Sequence, residues 1–153
     1  MDDITSLLPH RPPMVLIDGV ETFDPVAKRV VVSTKIDGSN IFFSDGGVPA
    51  WVAIEYMAQA AAALVGLRDR SLSPDCAPRP GVLLGTRRME LALSRFVAGE
   101  TYRISSECVF EDAEAASFLC EIRDAADSVV ASATLNAYRP PDMAKFLEEQ
   151  ASA

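Results

Sequence analysis

The sequence predicts an α+β domain in which an antiparallel sheet curls around one long apolar helix. Three patterns carry that expectation. Pro49 to about Arg68 is rich in strong helix formers, mostly alanine, and is apolar nearly all round, as a helix wrapped by other structure is. Later segments alternate apolar and polar residues with period two, as strands with one buried face do. Two further strand-like segments precede the helix. One sheet cannot cover such a helix on every side, so a second subunit is expected to complete the cover.

Taken in order, Asp3 to Leu8 predicts a short helix ended by Pro9. Met14 to Phe23 reads as a strand, with Asp24-Pro25 as its turn, and Lys28 to Ile36 as a second strand rich in β-branched residues. Asp37 to Gly47 is a loop with a double glycine and the apolar pair Phe42-Phe43. Pro49 stands where a first-turn helix proline belongs, and no breaker follows before Gly66. Arg70 to Pro80 is a Pro-rich loop, and Val82 to Leu93 is extended. Ala98-Gly99-Glu100 turns the chain into a strand whose inward face carries Tyr102, Ile104, Ser106, Cys108 and Phe110. Phe118, Cys120 and Ile122 mark the next strand. Val129, Ala131, Ala133, Leu135 and Ala137 line the last. Pro140-Pro141 stops it, and Met143, Phe146 and Leu147 suit a short closing helix.

The chain has 153 residues, expected as one domain over 1–153 that builds its core without disulfides or a structural metal. Its start is acidic, unlike a secretory leader, and the apolar run Val48 to Leu67 carries Glu55, Gln59 and many alanines, which argues against a membrane span. Cys76, Cys108 and Cys120 are odd in number and match no metal spacing, so reduced thiols in a cytoplasmic protein are expected. A formal net charge of −8 argues against a nucleic-acid partner. Arg68, Arg70, Arg79, Arg87, Arg88 and Arg95 fall in one stretch, either as dispersed solvated cations or as a basic rim.

Few residues can carry chemistry. Between Gly46 and Leu67 the only charged side chain is Glu55, with Gln59 at i+4 on the same helix face. An ionised carboxylate in an apolar helix costs several kcal/mol unless paired, so Glu55 is either a structural hydrogen-bonding group or a tuned acid/base. His10 is the only histidine, held between Pro9 and Pro12, and reads as structural or as the one imidazole available for proton transfer. One histidine and scattered cysteines supply no metal ligand set. Gly81 to Gly85 lacks the phosphate-loop pattern, and no nucleophile elbow is present. Trp51, Tyr56 and Met57 read as core or dimer contacts.

Three stretches resemble the 3-hydroxyacyl-acyl carrier protein dehydratases. LLPHRPPMVLIDGV (Leu7 to Val20) looks like their amino-terminal signature, and VPAWVAIEYMAQAAAAL (Val48 to Leu64) like their central helix, with the family's Glu and Gln at Glu55 and Gln59. SRFVAGETYRI (Ser94 to Ile104) is similar to the strand–turn–strand that follows. PHRPPM and VPAWVAIEYMAQ resemble a divergent branch linked to aryl-polyene-type pigment synthesis.

The resemblance implies a hotdog fold, with two subunits joined sheet edge to sheet edge and an acyl–phosphopantetheine tunnel at their interface. It implies dehydration of a 3-hydroxyacyl thioester to the trans-2-enoyl form, with a histidine as base on C2 and the helix carboxylate protonating the leaving hydroxyl. A backbone N–H near Ala50 and Trp51 is expected to polarise the thioester carbonyl. Gln59, Ala50, Trp51 and Phe43 are the expected substrate contacts, and Arg87, Arg88 and Arg95 the expected carrier-protein contacts. No cofactor is expected beyond the phosphopantetheine of acyl carrier protein or CoA that bears the substrate. The family's loop histidine is missing: Asn40 to Gly47 contains none. His10 then replaces it, or Glu55 acts alone with Gln59; the alternatives are an acyl-thioester hydrolase in which Glu55 attacks the carbonyl or activates water, and a non-catalytic partner subunit in a hotdog heterodimer.

Overall fold

The computed structural model describes residues 3–78, 81–139 and 143–152. A short helix α1 (Ile4–Leu7), capped by the Asp3 carboxylate accepting from the Thr5 N–H, precedes strands β1 (Gly19–Asp24) and β2 (Arg29–Lys35). A short strand β3 (Gly47–Pro49) and a 3-10 turn (Ala50–Val52) lead into α2 (Ala53–Leu72). Strands β4 (Val82–Leu91), β5 (Arg95–Val97), β6 (Thr101–Glu111), β7 (Ala115–Arg123) and β8 (Val129–Tyr138) follow, then α3 (Met143–Ser152). The main sheet runs β1-β2-β6-β7-β8-β4, antiparallel throughout, and β3 pairs separately with β5. This is the hotdog arrangement: one sheet bent around one helix.

Small side chains let the sheet close on α2. Ala53, Met57, Ala60, Ala63 and Leu64 are fully buried in the core that also holds Val30, Val32, Ile104, Cys120 and Ile122. Tyr56, Phe96 and Tyr102 stack edge to face, with ring centroids 5.3 and 5.0 Å apart, and tie the start of α2 to β5 and β6. By length and composition alone Ala50–Leu72 could cross a membrane, but 56% of its most apolar stretch is buried inside the domain.

Several elements differ from their sequence expectation. Met14 to Ile17 lies outside the strand ladder, because the Gln59 side chain takes the Leu16 N–H and the Met14 carbonyl, and backbone pairing with β2 begins only at Asp18. Pro49 ends β3 and caps the 3-10 turn from outside, with φ −56° and ψ 145°. The helix runs through Gly66 to Leu72, shortening the expected loop, of which Arg79 and Pro80 lie outside the described residues. Phe110 points outward and is 56% exposed, because a bulge between Cys108 and Phe110 shifts the alternation by one residue. The pairing of β3 with β5 leaves no signal in the sequence, since three-residue strands carry too short a pattern. Pro140-Pro141 lies outside the described residues.

A glycine at position 66 lets α1 lean against α2. A Cβ at this position would lie 2.4 Å from the Leu7 carbonyl oxygen. Alanine is the better helix former by up to about 1 kcal/mol, yet here the overlap forces α1 away. Gly66→Ala is therefore expected to lower stability by ~1–3 kcal/mol, read by urea denaturation. A stabilised variant would show that α1 yields freely.

Candidate functional site

Gln59 is wholly buried, and its amide is engaged on every side. Its Nε2 donates to the Met14 carbonyl at 2.6 Å and to Glu55 Oε1 at 3.0 Å, while its Oε1 accepts the Leu16 N–H at 2.8 Å. Helix geometry puts Glu55 and Gln59 on one face. The amide therefore does two things: it pins the amino-terminal segment to α2, and it orients the carboxylate. Thr34 adds a second tie, donating from its hydroxyl to the Leu16 carbonyl at 2.9 Å.

The pinned segment delivers His10. Its Nε2 lies 3.2 Å from Glu55 Oε1, and both side chains are partly exposed, at 25% and 30%. Burial works against the ionised carboxylate, but hydrogen bonds from His10 and Gln59, with the imidazole's charge, outweigh it and hold Glu55 below its ordinary value of 4.5. Both donors converge on Oε1. Oε2 has no protein partner among the described residues. His10 Nδ1 is buried without a hydrogen bond.

His10 and Glu55 stand at the wall of a cavity of about 320 Å³. Ala58, Ala61, Ala62 and Val65 continue the stripe from Glu55 along α2, and Phe118 and Leu135 form part of the facing sheet. Beside Glu55 the cavity wall is thus mostly apolar, as small-molecule sites are.

The other expected contacts are placed elsewhere. Ala50, Trp51 and Phe43 do not line this cavity. The Ala50 N–H is taken by the Ser94 carbonyl at 3.2 Å, which corrects its reading as a free carbonyl-polarising donor. Trp51 is 59% exposed and meets Phe42 edge to face. It lies one turn before Glu55 on the same face, outside the core in which Tyr56 and Met57 are buried. Gln59, expected as a substrate contact, has its hydrogen-bonding capacity taken up by the protein. Arg87 and Arg88 are exposed on β4, whereas Arg95 lies in the smaller sheet and donates to the Ser44 carbonyl at 2.6 Å, so the three do not share one strand surface.

The loop before the helix is a tight hairpin. Asp45 and Gly46 take positive φ, Ser44 bridges Gly47, and Asn40 donates to the Tyr56 hydroxyl at 2.9 Å. Among the described residues no cluster of His, Cys, Asp and Glu side chains is placed to hold a metal. Sequence reasoning did not find the charged residues Arg68, Asp69 and Arg139 on the cavity wall; only the continuation of the Glu55 stripe to positions 68 and 69 pointed there.

The chain matches the ApeP-like family, described as ApeP dehydratase, over residues 2–148. It is similar to the 3-hydroxyacyl-[acyl-carrier-protein] dehydratase FabZ of Anaeromyxobacter sp. (strain K), 39% identical over 77 residues, 47% of this chain and 47% of that protein. The FabZ of Clostridium tetani is 40% identical over 68 residues, 41% of this chain and 47% of that protein. The chain thus spans about half the length of the curated relatives it matches. Among solved structures it is similar to a chain of the dehydratase heterocomplex ApeI:P from Xenorhabdus doucetiae, at TM-score 0.86 and 28% identity, covering 97% of each chain. A hypothetical thioesterase from Streptococcus pneumoniae, solved with coenzyme A, shares the fold at TM-score 0.61 and 18% identity, over 80% of this chain and 84% of that one.

Two outcomes test this geometry. Gln59→Leu strands the Met14 carbonyl and the Leu16 N–H, so a loss of about 2–6 kcal/mol is expected at ~1–3 kcal/mol per buried unpaired group, measured by chemical denaturation. Glu55 titrates lower when folded than when unfolded, so its ionised form contributes stability above pH 4.5, and that contribution is lost as pH falls through the depressed folded-state value. Denaturation from pH 7 to pH 3 should show wild type and Glu55→Gln converging at the acid end; a gap constant with pH would contradict the assignment.

Proposed function

The chain belongs to the ApeP-like dehydratase family, and from that premise we propose that it removes water from 3-hydroxyacyl thioesters on acyl carrier protein, giving trans-2-enoyl thioesters in fatty-acid or polyene-type synthesis. The observation that carries this reading is Glu55, an ionised carboxylate fixed by two donors on one oxygen beside an apolar cavity.

Glu55 Oε2 takes the proton from C2 as electron density moves toward the thioester carbonyl. The carboxyl then returns a proton to the C3 hydroxyl. The C3–O bond breaks, the C2–C3 double bond forms, and water departs. One hydrogen has left C2, one hydroxyl has left C3, and the carboxylate is regenerated. His10 supports this from Nε2, which lies 3.2 Å from Oε1 and holds that oxygen while Oε2 faces the reacting carbons. The Trp51 N–H, for which the first turn offers no intrahelical acceptor, is the remaining candidate to polarise the carbonyl. Carrier protein, itself acidic, is expected to approach the exposed Arg87 and Arg88.

A second reading, as one half of a hotdog heterodimer, is favoured by the likeness to a chain of a dehydratase heterocomplex and by the lack of a histidine in Asn40 to Gly47. A hydrolase reading draws only on the shared fold.

Incubation with a 3-hydroxyacyl-pantetheine thioester, alone and with a co-expressed hotdog partner, separates these. Enoyl product is expected, with thiol release absent. Glu55→Ala should lower kcat by roughly 10²–10⁴-fold, the range for an acid–base group, and His10→Ala by a smaller factor. Activity untouched by Glu55→Ala removes the carboxylate from the chemistry; activity seen only with the partner, and lost with the partner's site, assigns the chain a supporting role.

A further inference from the structure

Tyr56 follows Glu55 in sequence but points about 100° away around α2, into the core beside Phe96. A phenylalanine would give the same edge-to-face packing, so packing does not account for the hydroxyl. That hydroxyl is fully enclosed, where an unpaired O–H is costly. It is paired on both sides. Asn40 Nδ2 donates to the phenol oxygen at 2.9 Å, and the Asn40 amide is held the right way round because its Oδ1 accepts the Phe42 N–H at 2.8 Å. On the other side the phenol is hydrogen-bonded to the buried Thr34 hydroxyl. Thr34 Oγ1 gives its one hydrogen to the Leu16 carbonyl at 2.9 Å, so it accepts from Tyr56. Leu16 in turn offers its N–H to Gln59 Oε1 at 2.8 Å, and Gln59 Nε2 donates to Glu55 Oε1 at 3.0 Å. Donor and acceptor roles are thus fixed from the hairpin loop to the carboxylate.

We propose that Tyr56 and Thr34 are positioning residues: through Leu16 and Gln59 they set the place of the Glu55 carboxylate, and they make the loop from Asn40, which has no histidine to give the site, a support of it from a distance. For the reaction this rests on Glu55 acting as described above. The helix fixes the backbone of Glu55 and Gln59 but not the position of Met14 and Leu16 beside them. Thr34 stands on β2, whose ladder with β6 is unbroken from Arg29 to Lys35, so its hydroxyl is a fixed post. Tyr56 ties α2 to that post, and the Leu16 carbonyl ties the amino-terminal segment to it. Helix, sheet and segment are thereby held at one separation, at which Gln59 reaches Leu16 and Glu55 together. His10 arrives on the same segment. Loss of the phenol hydroxyl frees the Thr34 hydroxyl to turn and loosens Leu16. His10 and Gln59 then hold Oε1 less well, while the burial that opposes its charge stays, so Glu55 titrates higher.

The test follows the Glu55 carboxyl and the His10 ring by NMR titration of the full chain, beside turnover of the 3-hydroxyacyl-pantetheine thioester. Tyr56→Phe and Thr34→Val should each raise the Glu55 pKa above the wild-type value and lower kcat roughly two- to tenfold, the effect of one hydrogen bond, with KM unchanged. Thr34→Ser keeps the hydroxyl and should restore both. Tyr102→Phe is the matched control. It also removes a phenol hydroxyl from the same aromatic cluster, one bonded to Glu100 and the Val97 N–H, and should cost stability without moving Glu55. If Tyr56→Phe fails to fold, the pair Thr34→Val and Thr34→Ser decides. Glu55 and His10 signals that stay put in the folded variants overturn the proposal, as does an equal shift in Tyr102→Phe. The expected titration shifts support the positioning even where no enoyl product forms; a missing product, with and without a hotdog partner, removes the dehydratase reading alone.

Discussion

The amide of Gln59 is the joint on which the site depends. A buried primary amide has two hydrogens and one carbonyl to satisfy, and this one meets the Met14 carbonyl, the Glu55 carboxylate and the Leu16 N–H. Each bond alone contributes about 1 kcal/mol, but together they fix a distance that neither α2 nor the amino-terminal segment sets by itself. From Met14 to Ile17 the segment has no ladder pairing, and besides the Thr34 hydroxyl on the Leu16 carbonyl it is this amide that fixes its position. Because the same nitrogen holds both the segment and the carboxylate, the fold and the chemistry share one set of hydrogen bonds. His10 reaches Glu55 as a consequence of that docking rather than through any contact of its own with the helix core.

Alanine in α2 serves two opposite purposes. On one face Ala53, Ala60 and Ala63 let the sheet approach until no solvent remains. On the other, Ala58 and Ala62 leave a gap that the sheet does not fill. Larger residues would have met the first need poorly and abolished the second. The hydrophobic pattern along the helix is therefore nearly continuous in sequence while its two sides differ in function.

The fold was legible because both periodicities are long: a helix that carries no charge but Glu55 before Arg68, and three strands with period-two alternation. Glu55 was legible for the same reason, as a lone charge in that run. The pairing of His10 with Glu55 was not, since the proline-rich segment has no period from which to place a side chain. Gln59 showed its face but not its burial, so it was read as a substrate contact when the protein uses its whole amide. Phe110 was read inward because a bulge leaves no trace in an alternating pattern. The charges at Asp69 and Arg139 stand seventy residues apart and meet only through the topology.

The rim strand β4 has one further consequence. It is the last strand of the main sheet and shows Leu83, Leu84 and Leu91 to solvent. Open ladder groups beside bare leucines invite uncontrolled self-association. Its pairing with β8 is broken between Leu83 and Gly85 and again between Arg87 and Glu90, and Arg88 takes a left-handed φ of 52°. A kinked rim offers docking only to a strand with matching kinks. Distortion of this kind guards a lone chain against fibre growth and makes the choice of companion strand selective.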